Sequence, residues 1–130
     1  MAYQVRDLGG IIEVSVTGET SKEEVMRAVH ELQRRDPEKR CADLWLVASE
    51  CMLPFHEFHQ IAESILSLCT PGMTGNRSAI VADGEFQAAL MEMYQGEAAI
   101  LPYEIGVFRC REKALAWLRS AAPVTAPAAP

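Results

Sequence analysis

The sequence predicts an α/β domain in which helices pack on a sheet. Residues 44–48 (Leu-Trp-Leu-Val-Ala) form a short continuous apolar run, as expected for a central strand that is covered on both faces. Pro54 follows a short loop and suits a first helical turn, where its missing N–H costs no hydrogen bond. Apolar residues then recur at spacings of three and four from Phe55 to Cys69, which is typical of one buried helix face. A buried strand followed by an amphipathic helix is half of a β–α–β unit.

A hairpin is predicted at the start of the chain. Residues 3–7 alternate weakly, and residues 12–17 alternate clearly between apolar and polar side chains. The Gly9-Gly10 pair between them is a turn signal. Strands joined by so short a turn are expected to pair antiparallel.

The first helix has clear start and stop signals. Thr20 and Ser21 each precede a glutamate by three residues, so either residue fits the capping box. The helix is expected to extend to about Arg35. Asp36-Pro37 ends it, because a residue before proline is disfavoured in the helical conformation.

Two more strands and two more helices are predicted after residue 70. The strands are residues 78–82 and 103–109, and the helices are residues 85–95 and 112–119. The inner face of the first of these helices is expected to carry Phe86, Leu90 and Met93. Gly96 is expected to end that helix as its C-cap residue. The inner face of the second helix is expected to carry Ala114, Leu115 and Leu118, with Trp117 at its border.

The resulting element order is ββαβαβαβα. Residues 1–119 are predicted to form a single domain, because the chain contains no internal repeat and no second apolar pattern. Residues 120–130 are rich in alanine and proline and are predicted to be disordered, since such a segment cannot bury a core.

Composition limits the classes of partner. The net charge of −6 over 130 residues argues against nucleic acid, whose backbone requires clustered lysine and arginine. No apolar run approaches the length of a membrane span, and the N-terminus has no secretory pattern, so no membrane insertion is expected. The four cysteines form no Cys-x-x-Cys pair, which favours reduced thiols and a cytoplasmic location.

Two stretches of this chain resemble a known family. The hairpin at residues 10–18 is followed by Thr-Ser-Lys-Glu-Glu at residues 20–24, and the chain closes with Val-Phe-Arg at 107–109 and Glu-Lys-Ala-Leu-Ala-Trp-Leu at 112–118. These segments, with the element order over residues 1–119, resemble the SpoIIAA-like family, small bacterial relatives of STAS domains. The resemblance implies a mixed sheet with an antiparallel first strand and helices packed on it.

The resemblance also implies a non-enzymatic role. Members of the wider STAS group act in partner-protein regulation, and some relatives are thought to hold apolar or lipid-like ligands. True anti-sigma-factor antagonists carry an Asp-Ser-x-Gly-type phosphoacceptor between the central strand and the next helix. The corresponding residues 49–55 here contain neither an Asp-Ser pair nor a glycine, so the family's phosphoserine is not carried over to Ser49.

Catalytic and metal sites find little support in the sequence. His56, His59 and Glu63 could approach a metal ion, but the helical pattern places them away from the apolar face, which favours an exposed surface. Ser49 has no Gly-x-Ser-x-Gly around it, and Cys51 has no basic residue near it in sequence to lower its pKa. No cofactor-binding loop is present. The chain is therefore predicted not to be an enzyme.

The candidate binding site lies where loops converge. In open α/β sheets, ligands bind beyond the carboxyl ends of the parallel strands. The residues expected there are Ser49, Cys51, Met52, Leu53, Phe55, Asp83, Arg109 and Arg111. Their apolar members beside two arginines suit a partner surface or an amphipathic ligand. Equally, Met52 and Leu53 could simply cover the core beneath the loop.

Three functional hypotheses follow. The first is a STAS-like interaction module that binds a partner protein or a second copy of itself as a homodimer. The alternative is a carrier for a small apolar or lipid-like ligand held beneath the loop at residues 52–55. The third, an enzyme that uses Ser49 or Cys51, requires a basic residue within hydrogen-bond reach of either side chain.

Overall fold

One five-stranded mixed sheet organises the chain in the computed structural model, which describes residues 2–37, 39, 41–70 and 76–120. The strands are β1 (Ala2–Asp7), β2 (Ile11–Thr17), β3 (Ala42–Val47), β4 (Arg77–Ala82) and β5 (Glu104–Phe108). The helices are α1 (Lys22–Arg35), α2 (Phe58–Leu66), α3 (Glu85–Glu97) and α4 (Arg111–Arg119). The predicted order ββαβαβαβα is confirmed. Residues 121–130 of the predicted disordered tail lie outside the described residues.

The strands follow one another across the sheet in sequence order. β1 pairs antiparallel with β2, as predicted, and β2, β3, β4 and β5 are parallel neighbours. Gly9 and Gly10 both have positive φ, which explains why glycines occupy the β1–β2 turn. Right-handed crossovers that always step in the same direction place α1, α2 and α3 on one face. α4 follows the last strand and covers the other face.

The sheet therefore has a core on each face. The larger core joins side chains of α1, α2 and α3 to Val14, Val16, Val47 and Ile80. The smaller core joins Ala114, Leu115 and Leu118 of α4 to Ile11, Leu44 and Ala79. Leu44 and Val47 are buried on opposite faces, which explains the continuous apolar run of the central strand.

Ser21, rather than Thr20, caps α1. Its side chain accepts from the Glu24 backbone N–H at 3.2 Å, and the Glu24 carboxylate accepts from the Ser21 N–H at 3.1 Å, which completes a capping box. α2 begins later than the apolar pattern suggested, because residues 55–57 form a separate 3-10 turn after Pro54. Its buried face consequently begins at Phe58.

The predicted inner face of α3 is confirmed at Leu90 and wrong at Phe86 and Met93. Phe86 and Met93 are 72% and 53% exposed, while Gln87, Ala88, Leu90 and Met91 are buried. The Gln87 amide is turned inward because it donates hydrogen bonds to backbone carbonyls of the loop after β3. Gly96 lies inside the helix rather than at its end.

Gly106 of β5 is packed against two aromatic rings. A β-carbon at Gly106 would lie 2.8 Å from the Phe108 ring and 3.1 Å from the Trp117 ring. We expect Gly106→Ala to lower the free energy of unfolding by about 1–3 kcal/mol, because both rings must shift. Urea unfolding followed by circular dichroism measures this change.

Gly96→Ala is the matched control for the Gly106 substitution. Gly96 has open space around it and lies in a helix, where alanine is favoured by about 1 kcal/mol. An equal effect of the two substitutions would contradict the close packing at Gly106.

Candidate functional site

The structure distributes the eight predicted site residues among different environments. Exposed residues are Ser49, Met52, Phe55, Asp83 and Arg109. Cys51 is buried, Leu53 is half-buried, and Arg111 is engaged on the α4 side of the sheet. The carboxyl ends of the parallel strands do meet at one edge, but only part of the predicted set gathers there.

The loop between β3 and α2 is tied to its neighbours through its backbone. Met52 exchanges hydrogen bonds with the chain before α1: its N–H donates to the Gly18 carbonyl at 3.1 Å, and its carbonyl accepts from the Thr20 N–H at 2.9 Å. Gln87, only 2% exposed, donates from Nε2 to the carbonyls of Cys51, Ala48 and Ser49 at 2.6, 3.2 and 3.2 Å. This loop is therefore held by the segment before α1 and by Gln87 of α3.

Neither candidate nucleophile has the surroundings that catalysis requires. The Cys51 thiol is buried, and its sulfur lies 3.4 Å from the Thr20 hydroxyl. Burial raises the pKa of this thiol, which disfavours the reactive thiolate. Ser49 is exposed, and among the described residues no basic side chain is hydrogen-bonded to its hydroxyl.

Arg111 lies apart from the apolar residues of the loop. Its Nε donates to Glu13 Oε2 at 2.8 Å, and Arg6 Nε donates to Glu13 Oε1 at 2.9 Å. Glu13 is 3% exposed and lies on the α4 side of β2, where the two guanidinium groups neutralise its buried charge. The structure therefore assigns Arg111 an ion pair instead of the predicted place beside Met52 and Phe55.

A cavity lies between α1, α2 and the sheet. Its volume is about 160 Å³, and it is partly open to solvent. Most of its wall is aliphatic or aromatic and comes from Val25, Val29, Leu32, Trp45, Leu53, Phe58, Ile61, Ile65 and Ile105. Of the eight predicted site residues, Leu53 alone lines it.

One end of this cavity is polar. Asp43, 6% exposed, lies near the start of β3 and lines the cavity with Lys39, Ser78 and Tyr103. Lys39 Nζ donates to Asp43 Oδ2 at 2.6 Å and lies 4.6 Å from the centre of the Tyr103 ring. The other carboxylate oxygen, Asp43 Oδ1, is buried and has no hydrogen-bond partner among the described residues.

The backbone holds Lys39 in place at this polar end. Its φ of +49° lies in the left-handed region, which residues other than glycine rarely adopt. The Asn76 amide donates to the Lys39 carbonyl, and the Lys39 N–H donates to the Asp36 carbonyl at 3.0 Å. These bonds offset the conformational strain and direct the lysine side chain toward Asp43.

Two tyrosines near Asp43 remain neutral hydroxyls. Burial, and then the negative charge of Asp43, raises the pKa of both Tyr94 and Tyr103 well above the usual tyrosine range. Each can therefore donate or accept a hydrogen bond at the polar end of the cavity without changing its charge in physiological conditions.

The comparisons with known proteins give a fold but no activity. No family model and no curated protein matches the chain. Among solved structures, it is similar to an uncharacterized protein of the DUF3478 family from Shewanella loihica PV-4, which is described as having a SpoIIAA-like fold. The TM-score is 0.56 at 15% sequence identity, over 90% of this chain and 92% of that chain.

This chain has a SpoIIAA-like fold. The predicted mixed sheet with an antiparallel first strand is thereby confirmed. Within the residues that the structure describes, no helix has both the length and the apolar character needed to cross a bilayer.

Three side chains that shape the loop and the cavity of this SpoIIAA-like domain were not predicted from the sequence. Gln87 fixes the loop after β3, and Asp43 with Lys39 forms the polar end of the cavity. Asp43 offered a signal, since a charged residue next to a strand covered on both faces is expected to be buried and paired. No comparable signal marked Gln87 or Lys39.

His59, considered above for metal binding, joins α2 to α3 instead. Its Nδ1 lies 2.9 Å from Glu97 Oε1, and its Nε2 lies 3.3 Å from Glu63 Oε2. The hydrogen bond to Glu97 and the charge of Glu63 raise the pKa of His59 above its ordinary 6.5.

The raised pKa of His59 predicts a small dependence of stability on pH. The protonated ring is favoured in the folded state, so the stabilisation is fully present below about pH 6.5 and is lost as pH rises through the folded pKa. We expect His59→Gln to reduce this slope in melting temperatures measured between pH 5 and 9. His30→Gln, on α1, is the control, and an unchanged slope in His59→Gln would contradict the prediction.

Proposed function

We propose that this protein binds a small, mostly apolar ligand in the cavity between α1, α2 and the sheet. The observation that carries this proposal is the cavity itself, about 160 Å³ with a mainly apolar wall. A mainly apolar lining of this kind is typical of small-molecule sites. An apolar cavity of about 150 Å³ accepts a molecule the size of benzene.

The position of the cavity also suits binding. It lies between two helices and the sheet, so a ligand can be enclosed without separating paired strands. Leu53 connects its wall to the loop that the sequence singled out, whose conformation is fixed by Gln87. A wall built on regular elements and a restrained loop reduces the entropy lost when a ligand binds.

A non-enzymatic role and a cytoplasmic location are parts of the same proposal. The burial of Cys51 and its raised pKa favour a binding role over nucleophilic catalysis. The four cysteines are free thiols, in keeping with a reducing compartment.

A second candidate function is the interaction module, and one observation favours it. Met52, Phe55 and Phe86 are exposed large apolar side chains on segments at the carboxyl edge of the parallel strands. Phe86 follows Gly84 at the start of α3, next to the Gln87 that holds the loop carrying Met52. Exposed apolar groups of this kind are typical of contact surfaces, so we propose a partner protein or a second copy as the occupant.

The ligand proposal predicts that benzene stabilises the protein. Saturation of the cavity at one hundred times the dissociation constant adds about 2.7 kcal/mol, which raises the melting temperature by several degrees. Val29 lines the cavity, so Val29→Phe should fill part of it and remove most of this rise. Differential scanning calorimetry in sealed cells measures both effects.

His30→Phe is the matched control for Val29→Phe. It adds the same ring to an exposed position of α1, outside the cavity. If the wild type shows no benzene-dependent rise, or if Val29→Phe and His30→Phe retain it equally, the cavity is not a binding site.

The interaction proposal predicts concentration-dependent self-association, or capture of a protein partner, through the exposed edge. Phe86→Ser should weaken dimer formation about tenfold or more, because an aromatic side chain at a contact surface commonly contributes above 1 kcal/mol. Ile100→Ser removes another exposed apolar residue beyond the far end of α3 and serves as the control. Sedimentation velocity over a range of concentrations makes the comparison, and equal behaviour of the two variants excludes Phe86 from the contact.

A further inference from the structure

The polar end of the cavity contains an acceptor that the described residues leave unsatisfied. Asp43 is more than nine-tenths buried, and Lys39 occupies only its Oδ2 atom. Its Oδ1 atom is buried without a hydrogen-bond partner among those residues. A buried charged oxygen left without a donor costs a protein more than an ordinary hydrogen bond contributes, so such atoms point to a missing partner.

A ligand bound in the cavity could supply the missing hydrogen-bond donor, because Asp43 lines the cavity. Asp43 and Val47 both line the cavity, and they lie four residues apart on β3, which corresponds to about 13 Å along a strand. The cavity therefore follows β3 from an apolar end near Leu53 to the carboxylate. The last side-chain torsion of aspartate is broad, so the carboxylate can rotate to present an oxygen to the cavity.

The charges at this end disfavour an anionic ligand. Asp36 and Asp43 both line the cavity there, and Lys39 is the cation that faces them among the described lining residues. The Lys39 ammonium is already bound to Asp43 at 2.6 Å. A carboxylate head group would therefore meet two negative charges and would offer Oδ1 no proton.

We infer that the ligand has an apolar body and a head group that donates a hydrogen bond to Asp43 Oδ1 and carries no negative charge, as an alcohol or an amine does. This inference rests on the proposed function, because it specifies the chemistry of the ligand in the same cavity. It assigns Asp43 as the residue that selects the head group and the aliphatic wall as the part that accepts the chain.

Two isomeric probes separate the head group from the body. 1-Octanol and methyl heptyl ether have the same atoms and nearly the same length, but only the alcohol can donate a hydrogen bond. Isothermal titration calorimetry of the wild-type protein at pH 7 should give 1-octanol a dissociation constant about tenfold or more below that of the ether. Octanoate, tested in the same way, should bind more weakly than 1-octanol.

Substitution of Asp43 then tests whether this residue causes the preference for the alcohol over the ether. Asp43→Ala should remove the difference in affinity between the alcohol and the ether. Asp83→Ala, at an exposed position outside the cavity, should retain the full preference. If Asp43→Ala does not fold, the comparison of the two isomers on the wild type decides the question by itself.

The outcomes distinguish this inference from the proposed function. Binding of both isomers with equal affinity, or tightest binding of octanoate, overturns the donor head group and leaves the apolar cavity as a binding site. Binding of none of the three probes overturns the inference, and the benzene experiment above then decides the proposed function separately.

Discussion

The handedness of the strand crossovers constrains where the three connecting helices of this molecule can lie. β2 to β5 are parallel and are added one after another in the same direction across the sheet. Right-handed crossovers then place all three connecting helices on one face. α4 is free of this constraint, since no strand follows it among the described residues, and it closes the other face. The face covered by three helices, which contains the cavity between α1, α2 and the sheet, is a consequence of this arrangement.

The buried carboxylates Glu13 and Asp43 each lie beside a cationic side chain. Glu13 on the α4 side is held between Arg6 and Arg111, so both of its oxygens are satisfied. Asp43 on the opposite side has Lys39 on one oxygen only. Since buried ionic groups contribute little net stability unless they are fully paired, the incomplete pairing of Asp43 suits a ligand-dependent role better than a structural one.

The α3 helix illustrates a limit of pattern recognition. Phe86, Leu90 and Met93 form a valid apolar face at helical spacing, yet two of them are exposed. The alternative face contains Gln87, whose polar side chain argues against burial in any sequence-based reading. Its burial depends on three carbonyls of a loop that is nearly forty residues away, with separations of 36 to 39 residues. No local pattern contains that information. The partner of Lys39, in contrast, is only four residues away, and the positive φ of Lys39 is a backbone feature that the sequence did not signal.

The sequence by itself determined the class and order of the elements, because apolar periodicity, caps and turn residues are local properties. The Gly9-Gly10 turn, the Ser21 cap and the run at residues 44–48 were each sufficient to predict the hairpin, the start of α1 and the central strand. Only the tertiary structure decided the site. The cavity is a space between elements, and the partners of Arg111 and Gln87 lie 98 and 36 residues away in the chain. The packing of the elements decides which buried charged groups have hydrogen-bond partners and which do not. The distances between these groups in the fold are not encoded in a linear pattern.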